Sequence, residues 1–183
     1  MNAWIFALYM TVHFNMPIPF ALTIYGEAQH LEWVEAHEVG SVLVAEHADR
    51  GKFPTHKTSS AGARGVGQVM RSVRVGYNEN SGMAYVSADA LFDWRVNIKV
   101  VAWELDRIKR VHATKSRCRG KDHHWHAHYV CGWNNRETCN TKWRERLTSQ
   151  AEGWKRYRLN PNDSLPKLLY ALYGGVGVGT VVD

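Results

Sequence analysis

Glu46 is the carboxylate whose surroundings best suit proton transfer. It follows Val42, Leu43, Val44 and Ala45, an apolar run that reads as the last turn of a helix. Two influences there favour the neutral carboxyl: loss of surrounding water and the negative end of the helix macrodipole. An acid that keeps its proton near neutral pH can donate it to a leaving oxygen. Downstream, Thr58 to Met70 reads TSSAGARGVGQVM, with a serine pair, three glycines and a glutamine. Glycine lets backbone approach a ligand closely because it has no Cβ. Gln68 offers an amide that both donates and accepts, which suits hydroxyls and acetamides. On residue types alone the stretch is a turn of small residues running into a helix or strand, and a tight loop without a ligand is an equal reading.

Those residues need elements to hold them. Glu27 to His47 reads as one helix, free of proline, with Leu31, Val34, Val39, Val42 and Leu43 on a broken stripe, ended by Gly51 and Pro54. Glu27, Glu32, Glu35 and Glu38 on it read as a solvated face. Arg71 to Ala88 reads as loop with a short helix or strand. From Leu91, the residues Ile98, Val101, Ala102, Leu105 and Ile108 form an amphipathic helix, with Asp93 and Asn97 placed as capping groups at its start. Met1 to Tyr25 is strongly apolar but is interrupted by His13, Asn15, Pro17 and Pro19. A spanning helix needs about 20 unbroken apolar residues, and no basic stretch of a secretory signal precedes the run. It reads as a packed N-terminal segment with a helix restarting near Pro19, and contact with a membrane stays open.

At 183 residues, 45% hydrophobic and 22% charged, the chain fits one folded domain with short appendages. Three parts are expected: an apolar segment 1–26, a domain 27–160, and an apolar, glycine-rich tail 161–183. The formal charge of +6 favours anionic partners, whether nucleic acid, acidic membrane or a cell-wall polymer. No nucleic-acid-binding signature accompanies it, so nucleic acid is the least favoured. Cys118, Cys131 and Cys139 permit at most one bridge. His123, His124, His126 and His128 lie between them, but no pair fits the common zinc spacings, and neither metal nor cofactor is expected.

The block SSAGARGVGQVM resembles the S-x-A-G-A-x-G-(apolar)-(apolar)-Q-(apolar)-M motif of the soluble lytic transglycosylase (SLT) domain, a relative of goose-type lysozyme. Ser59, Ala61, Gly62, Ala63, Gly65, Gln68 and Met70 fall on the pattern, and Gly67 stands where a methionine is usual. The stretch from Leu91 is similar to the family's L-F-D-P-x-x-N-I-x-x-(small)-x-x-Y-L helix, with Trp94 for the proline. Trp125 to Asn135 resembles its A-x-A-A-Y-N-x-G block through Tyr129 and Gly132, with Val130 for the asparagine. The family keeps its catalytic glutamate at the end of a helix before the serine–glycine block, usually followed by serine. Here the pair is Glu46–His47, and Gln68 follows Glu46 by 68 − 46 = 22 positions, which reads as a short insertion around Asp49 to His56.

The resemblance implies a mainly α, lysozyme-like (SLT/goose-type) fold with a small β element beside the groove. It also implies cleavage of the β-1,4 bond between N-acetylmuramic acid and N-acetylglucosamine in peptidoglycan, with a 1,6-anhydro product. Glu46 would be the catalytic acid and then base. Ser59 and Gln68 would hold substrate groups, the backbone of Gly65, Val66 and Gly67 would line the groove, and Tyr129 would orient Glu46. Trp103, Trp125 and Trp133 could stack on sugars. A lysozyme-type hydrolase, with Asp49, Asp89 or Asp93 activating water, and a non-catalytic glycan-binding component are the alternatives. Peptidoglycan strands are the expected partner. The small size and apolar extensions fit a bacteriophage protein acting at the bacterial cell wall or periplasm, borne in the virion or lytic, with residues 1–25 and the tail as its contacts to membrane or virion proteins.

Overall fold

A computed structural model of the chain describes residues 3–47, 52–114 and 129. Among these, five α-helices carry the fold: α1 (Ala3–Phe14), α2 (Ile18–Ala28), α3 (Ala36–His47), α4 (Arg71–Asn80) and α5 (Trp94–Thr114). A single 3-10 turn, Asp89–Phe92, precedes α5. The class is mainly α, as expected. Among the described residues there is no strand. Extended pairing is limited to two isolated antiparallel bridges, Thr58 with Arg64 and Arg64 with Val69.

The apolar start of the chain is internal packing. Phe6, Met10, Met16, Phe20 and Ile24 are all buried, in one core cluster with α3 and α5. No described helix is long and apolar enough to cross a membrane. Met10 and Phe6 press on Gly40 of α3 so closely that a Cβ there would lie 2.7 Å from the Met10 methyl. Phe20 of α2 stacks on Trp94 at the start of α5, with centroids 4.6 Å apart.

The single helix expected over 27–47 is two helices with a break at 29–35. The break has a polar cause that periodicity does not register. Asp106 of α5 accepts hydrogen bonds from the backbone N–H of Trp33 (2.7 Å) and Val34 (3.2 Å). Glu38 reaches back to the N–H of Glu35 at 2.8 Å, which is half of a capping box and starts α3. The solvated face expected for Glu38 is also corrected. Its side chain is only 11% exposed and pairs with Lys109 of α5 at 2.7 Å.

In α5 the stripe Ile98, Val101, Ala102, Leu105 and Ile108 is fully buried, as expected. Asp93 caps the helix by accepting from Arg95 N–H at 2.8 Å. Asn97 is not a cap. It points inward with no exposed surface, and its partners lie in the glycine-rich loop. Arg71 to Ala88 is mostly the helix α4, followed by a loop pinned at Val86, whose N–H and C=O both bond the amide of Asn78.

Candidate active site

The loop over residues 57–69 has almost no regular structure, yet Ala63 and Gly65 to Val69 are buried. Buried backbone polar groups must find partners, and here side chains from three elements provide them. Asn97 donates to the carbonyls of Arg64 and Leu91, each at 2.9 Å, and accepts from Gly67 N–H at 2.8 Å. Gln68 donates through Nε2 to Gly65 O at 2.8 Å. His47, next to Glu46, bonds Val66 O through Nε2, which fixes the proton on that nitrogen. The hydroxyl of Tyr129 donates to Gly67 O at 2.8 Å.

Two glycines are sterically required. Gly65 has φ +73°, and a Cβ on it would lie 2.2 Å from both Asn97 Nδ2 and Leu91 O. At Gly67 a Cβ would lie 2.2 Å from Val101 Cγ2. The loop is therefore seated directly on α5, with no room for a side chain at either position. Gln68 has φ +51°, a left-handed conformation that is strained for a residue with a Cβ. Its own amide bond to Gly65 offsets that strain.

Glu46 lies in the last turn of α3, half-buried. Burial pushes its carboxyl up to about 7, and the nearby Lys57 ammonium opposes this without cancelling it. No described residue hydrogen-bonds the carboxyl. Burial also lowers the proton affinity of the His47 ring, which stays a neutral hydrogen-bond donor. Tyr129 is held neutral: burial, then the charges of Glu46 and Glu104, raise its phenol well above the ordinary value. His47, the neighbour of Glu46, and Tyr129 hold the consecutive carbonyls of Val66 and Gly67.

A groove of about 990 Å³ runs between α4 and α5. Met70, Val73, Trp103, Glu104, Arg110 and Tyr129 help to line it. Tyr129 thus joins the groove to the glycine-rich loop through its bond to Gly67 O. Ser59, Gly65, Val66, Gly67 and Gln68 are not part of the groove wall. Ser59 has an internal task, accepting from Ala63 N–H at 3.0 Å to close the turn. The carbonyls of residues 65, 66 and 67 are likewise taken up within the protein. Tyr129, expected to orient Glu46, gives its one proton to Gly67 O.

Sequence reading missed Asn97 as the residue that seats the loop, and Lys57 altogether. Nothing in the pattern of a helix distinguishes a capping asparagine from an inward one. The cysteines, the histidines 123 to 128, Asp49, Gly132 and the tail lie outside the described residues. Among the described residues no cluster of His, Cys, Asp or Glu is placed to hold a metal ion. Comparison with protein-family models, with curated proteins and with solved structures finds no match for this chain.

Proposed function

We propose that the chain is a peptidoglycan lytic transglycosylase of the SLT type, with Glu46 as its acid and base. The observation that carries this reading is the desolvated carboxyl of Glu46, protonated up to about pH 7 and set against a loop whose own hydrogen bonds are already closed. Protonated Glu46 donates to the glycosidic oxygen as the C1–O bond breaks. As carboxylate it then takes the proton of the sugar's C6 hydroxyl, whose oxygen bonds to C1 and closes the anhydro ring. Holding that internal nucleophile beside C1 contributes roughly 7–11 kcal/mol, and general acid–base transfer on the order of 10²–10⁴-fold.

Three of the departures from the family's motifs support the reading because each has a partner. Gly67 replaces a methionine, and Val101, its neighbour at 2.2 Å from a built Cβ, occupies the position the family keeps small. The bulk has changed sides of one contact. His47 replaces the serine and ties the end of α3 to the loop through Val66 O. Trp94 replaces the proline and stacks on Phe20.

Internal attack is favoured over activated water by the fate of two of the three candidate second carboxylates, Asp49 lying outside the described residues. Asp89 is largely exposed and pairs with Arg64 at 2.8 Å, and Asp93 caps α5. Mass spectrometry of muropeptides released from purified sacculi tests the reading. Anhydro ends from the natural protein and none from Glu46→Gln are expected. Reducing ends would mean a hydrolase, and no release by the natural protein would leave only a binding role. A bacteriophage origin and action at the cell wall remain part of this proposal, checked by detecting the protein in purified virions.

A further inference from the structure

We propose that His47 is the positioning residue of the site: its ring bond to the Val66 carbonyl closes the C-terminal end of α3 onto the glycine-rich loop and keeps water from the Glu46 carboxyl. For its catalytic consequence this rests on the reading of Glu46 as the acid.

The last carbonyls of a helix lack partners within it, and its final turn frays unless something ties it down. At the end of α3 the tie is a side chain. His47 Nε2–H donates to Val66 O, 19 residues further on. His47 is 5% exposed, and its ring meets Phe53 edge-on, with centroids 5.6 Å apart. Phe53 in turn meets Phe20 of α2 at 6.2 Å, so the imidazole is gripped from the core side as well as by the loop. The receiving end is equally fixed. Val66 has no exposed surface, Gly65 and Gly67 on either side of it have no room for a Cβ, and Asn97 of α5 holds Arg64 O and Gly67 N–H. A loop anchored in this way does not follow the helix. The bond sets where the end of α3 lies.

Glu46 precedes His47 in the same turn, so a tie at residue 47 also holds residue 46. Loss of water is the largest influence on Glu46 and carries its carboxyl to about 7. The ring suits its place by being neutral: burial lowers its proton affinity, and a charged imidazole there would help Glu46 to ionise. From the loop, Lys57 acts on both Glu46 and His47 in the direction of fewer protons. Tyr129, on the next carbonyl, stays a neutral phenol. The serine usual at this position ends at Oγ, two bonds short of where Nε2 lies, so the tie belongs to this chain.

Nuclear magnetic resonance titration of the Glu46 carboxyl in the full chain, beside cleavage of purified peptidoglycan strands, tests this. His47→Leu keeps volume and removes the donor, whereas His47→Gln keeps an N–H at similar reach. In His47→Leu the Glu46 midpoint is expected to fall from about 7 toward the ordinary 4.5, and the upper limb of the cleavage profile to move down with it. At pH 6, kcat should fall about tenfold to a hundredfold with KM little changed, the mark of a misplaced acid. His47→Gln should recover most of both. His47→Asn, whose amide nitrogen lies level with Nδ1 and falls short of Val66, takes the place of the leucine variant if that one does not fold. An unmoved midpoint, or the same loss in His47→Gln as in His47→Leu, overturns the inference and leaves the bond a purely structural one. A natural protein that titrates at an ordinary carboxyl value overturns it together with the reading of Glu46 as the acid. Absence of cleavage by the natural protein, with the midpoints moving as expected, removes the transglycosylase reading and leaves His47 as the residue that keeps Glu46 dry.

Discussion

Glu46, in the last turn of α3, and Glu104, in the middle of α5, both act on the phenol of Tyr129, but their surroundings are built in opposite ways. Glu104 is 6% exposed and gripped by Arg107 through two bonds of 2.7 Å. The bidentate guanidinium takes up both carboxylate oxygens. Glu46 has no such partner, and burial gives it a proton to donate near pH 7. The difference lies in the partner: one carboxylate has both oxygens taken by a cation, and the other is raised by burial with no such partner. Glu104 is tied into the fold by Arg107, whereas Glu46 is left open for the proton transfer proposed above.

The largest expected effect breaks the two apart. Glu46→Gln should lower strand cleavage by on the order of 10²–10⁴-fold while the protein stays folded. Glu104→Gln should leave most cleavage in place and instead cost about 2 kcal/mol of stability, less than a fully buried pair because Arg107 can still reach water. Cleavage rates and urea midpoints on the same samples separate the roles. Activity lost through Glu104 with Glu46 dispensable would reverse the assignment.

A second experiment disturbs the loop facing Glu46. Gly67→Met should destabilise by about 3 kcal/mol or more, since overpacking forces side chains and backbone to move and a Cβ there would meet Val101 at 2.2 Å. Adding Val101→Gly should recover much of that loss. The coupling in the double-mutant cycle is the readout. Additive losses would mean that the two positions do not exchange bulk.

A third follows Glu46 through pH. Glu46 has a folded value of about 7 against an ordinary 4.5. Between those values the native state keeps a proton that the unfolded chain has released, so stability falls as pH rises through that window and levels off above it. At about 1.4 kcal/mol per pH unit, the total is about 3 kcal/mol. Glu46→Gln lacks this loss, so it should exceed the natural protein in stability by up to about that amount at pH 8, with the gap closing below pH 4.5. The cleavage rate should fall tenfold per unit above about pH 7 as the acid empties. Parallel stability curves for the two proteins would contradict the assigned proton affinity.

Much of this was legible in the chain. The stripe of α5 and the apolar run before Glu46 follow from side-chain periodicity, which burial enforces directly. What escaped was set by single polar contacts across long separations. Asp106 breaks the helix expected over 27–47 by taking two backbone N–H groups more than 70 residues away, and no local signal marks it. Asn97 sits where a cap belongs and instead fixes the loop. The residues expected to touch substrate, Ser59 and Gln68, are chemically suited to do so, but those same donors and acceptors close the loop on itself. Residue type gives the capacity to bond, and only the fold decides with what.

The smallest effect concerns Tyr129, whose phenol feels both carboxylates. Tyr129→Phe removes the hydroxyl that donates to Gly67 O at 2.8 Å, leaving a loop carbonyl without that partner. A loss of about 1 kcal/mol in stability is expected. With its proton on Gly67, the phenol oxygen has only lone pairs to offer Glu46, so it can steady the protonated acid but not the carboxylate. Cleavage should therefore fall about tenfold at most, and mainly below pH 7, where the acid form prevails. Measuring Tyr129→Phe in the natural and Glu104→Gln backgrounds shows which carboxylate the tyrosine serves. The same fractional loss in both ties it to Glu46, whereas a loss that disappears without Glu104 would make Tyr129 part of the structural pair on α5.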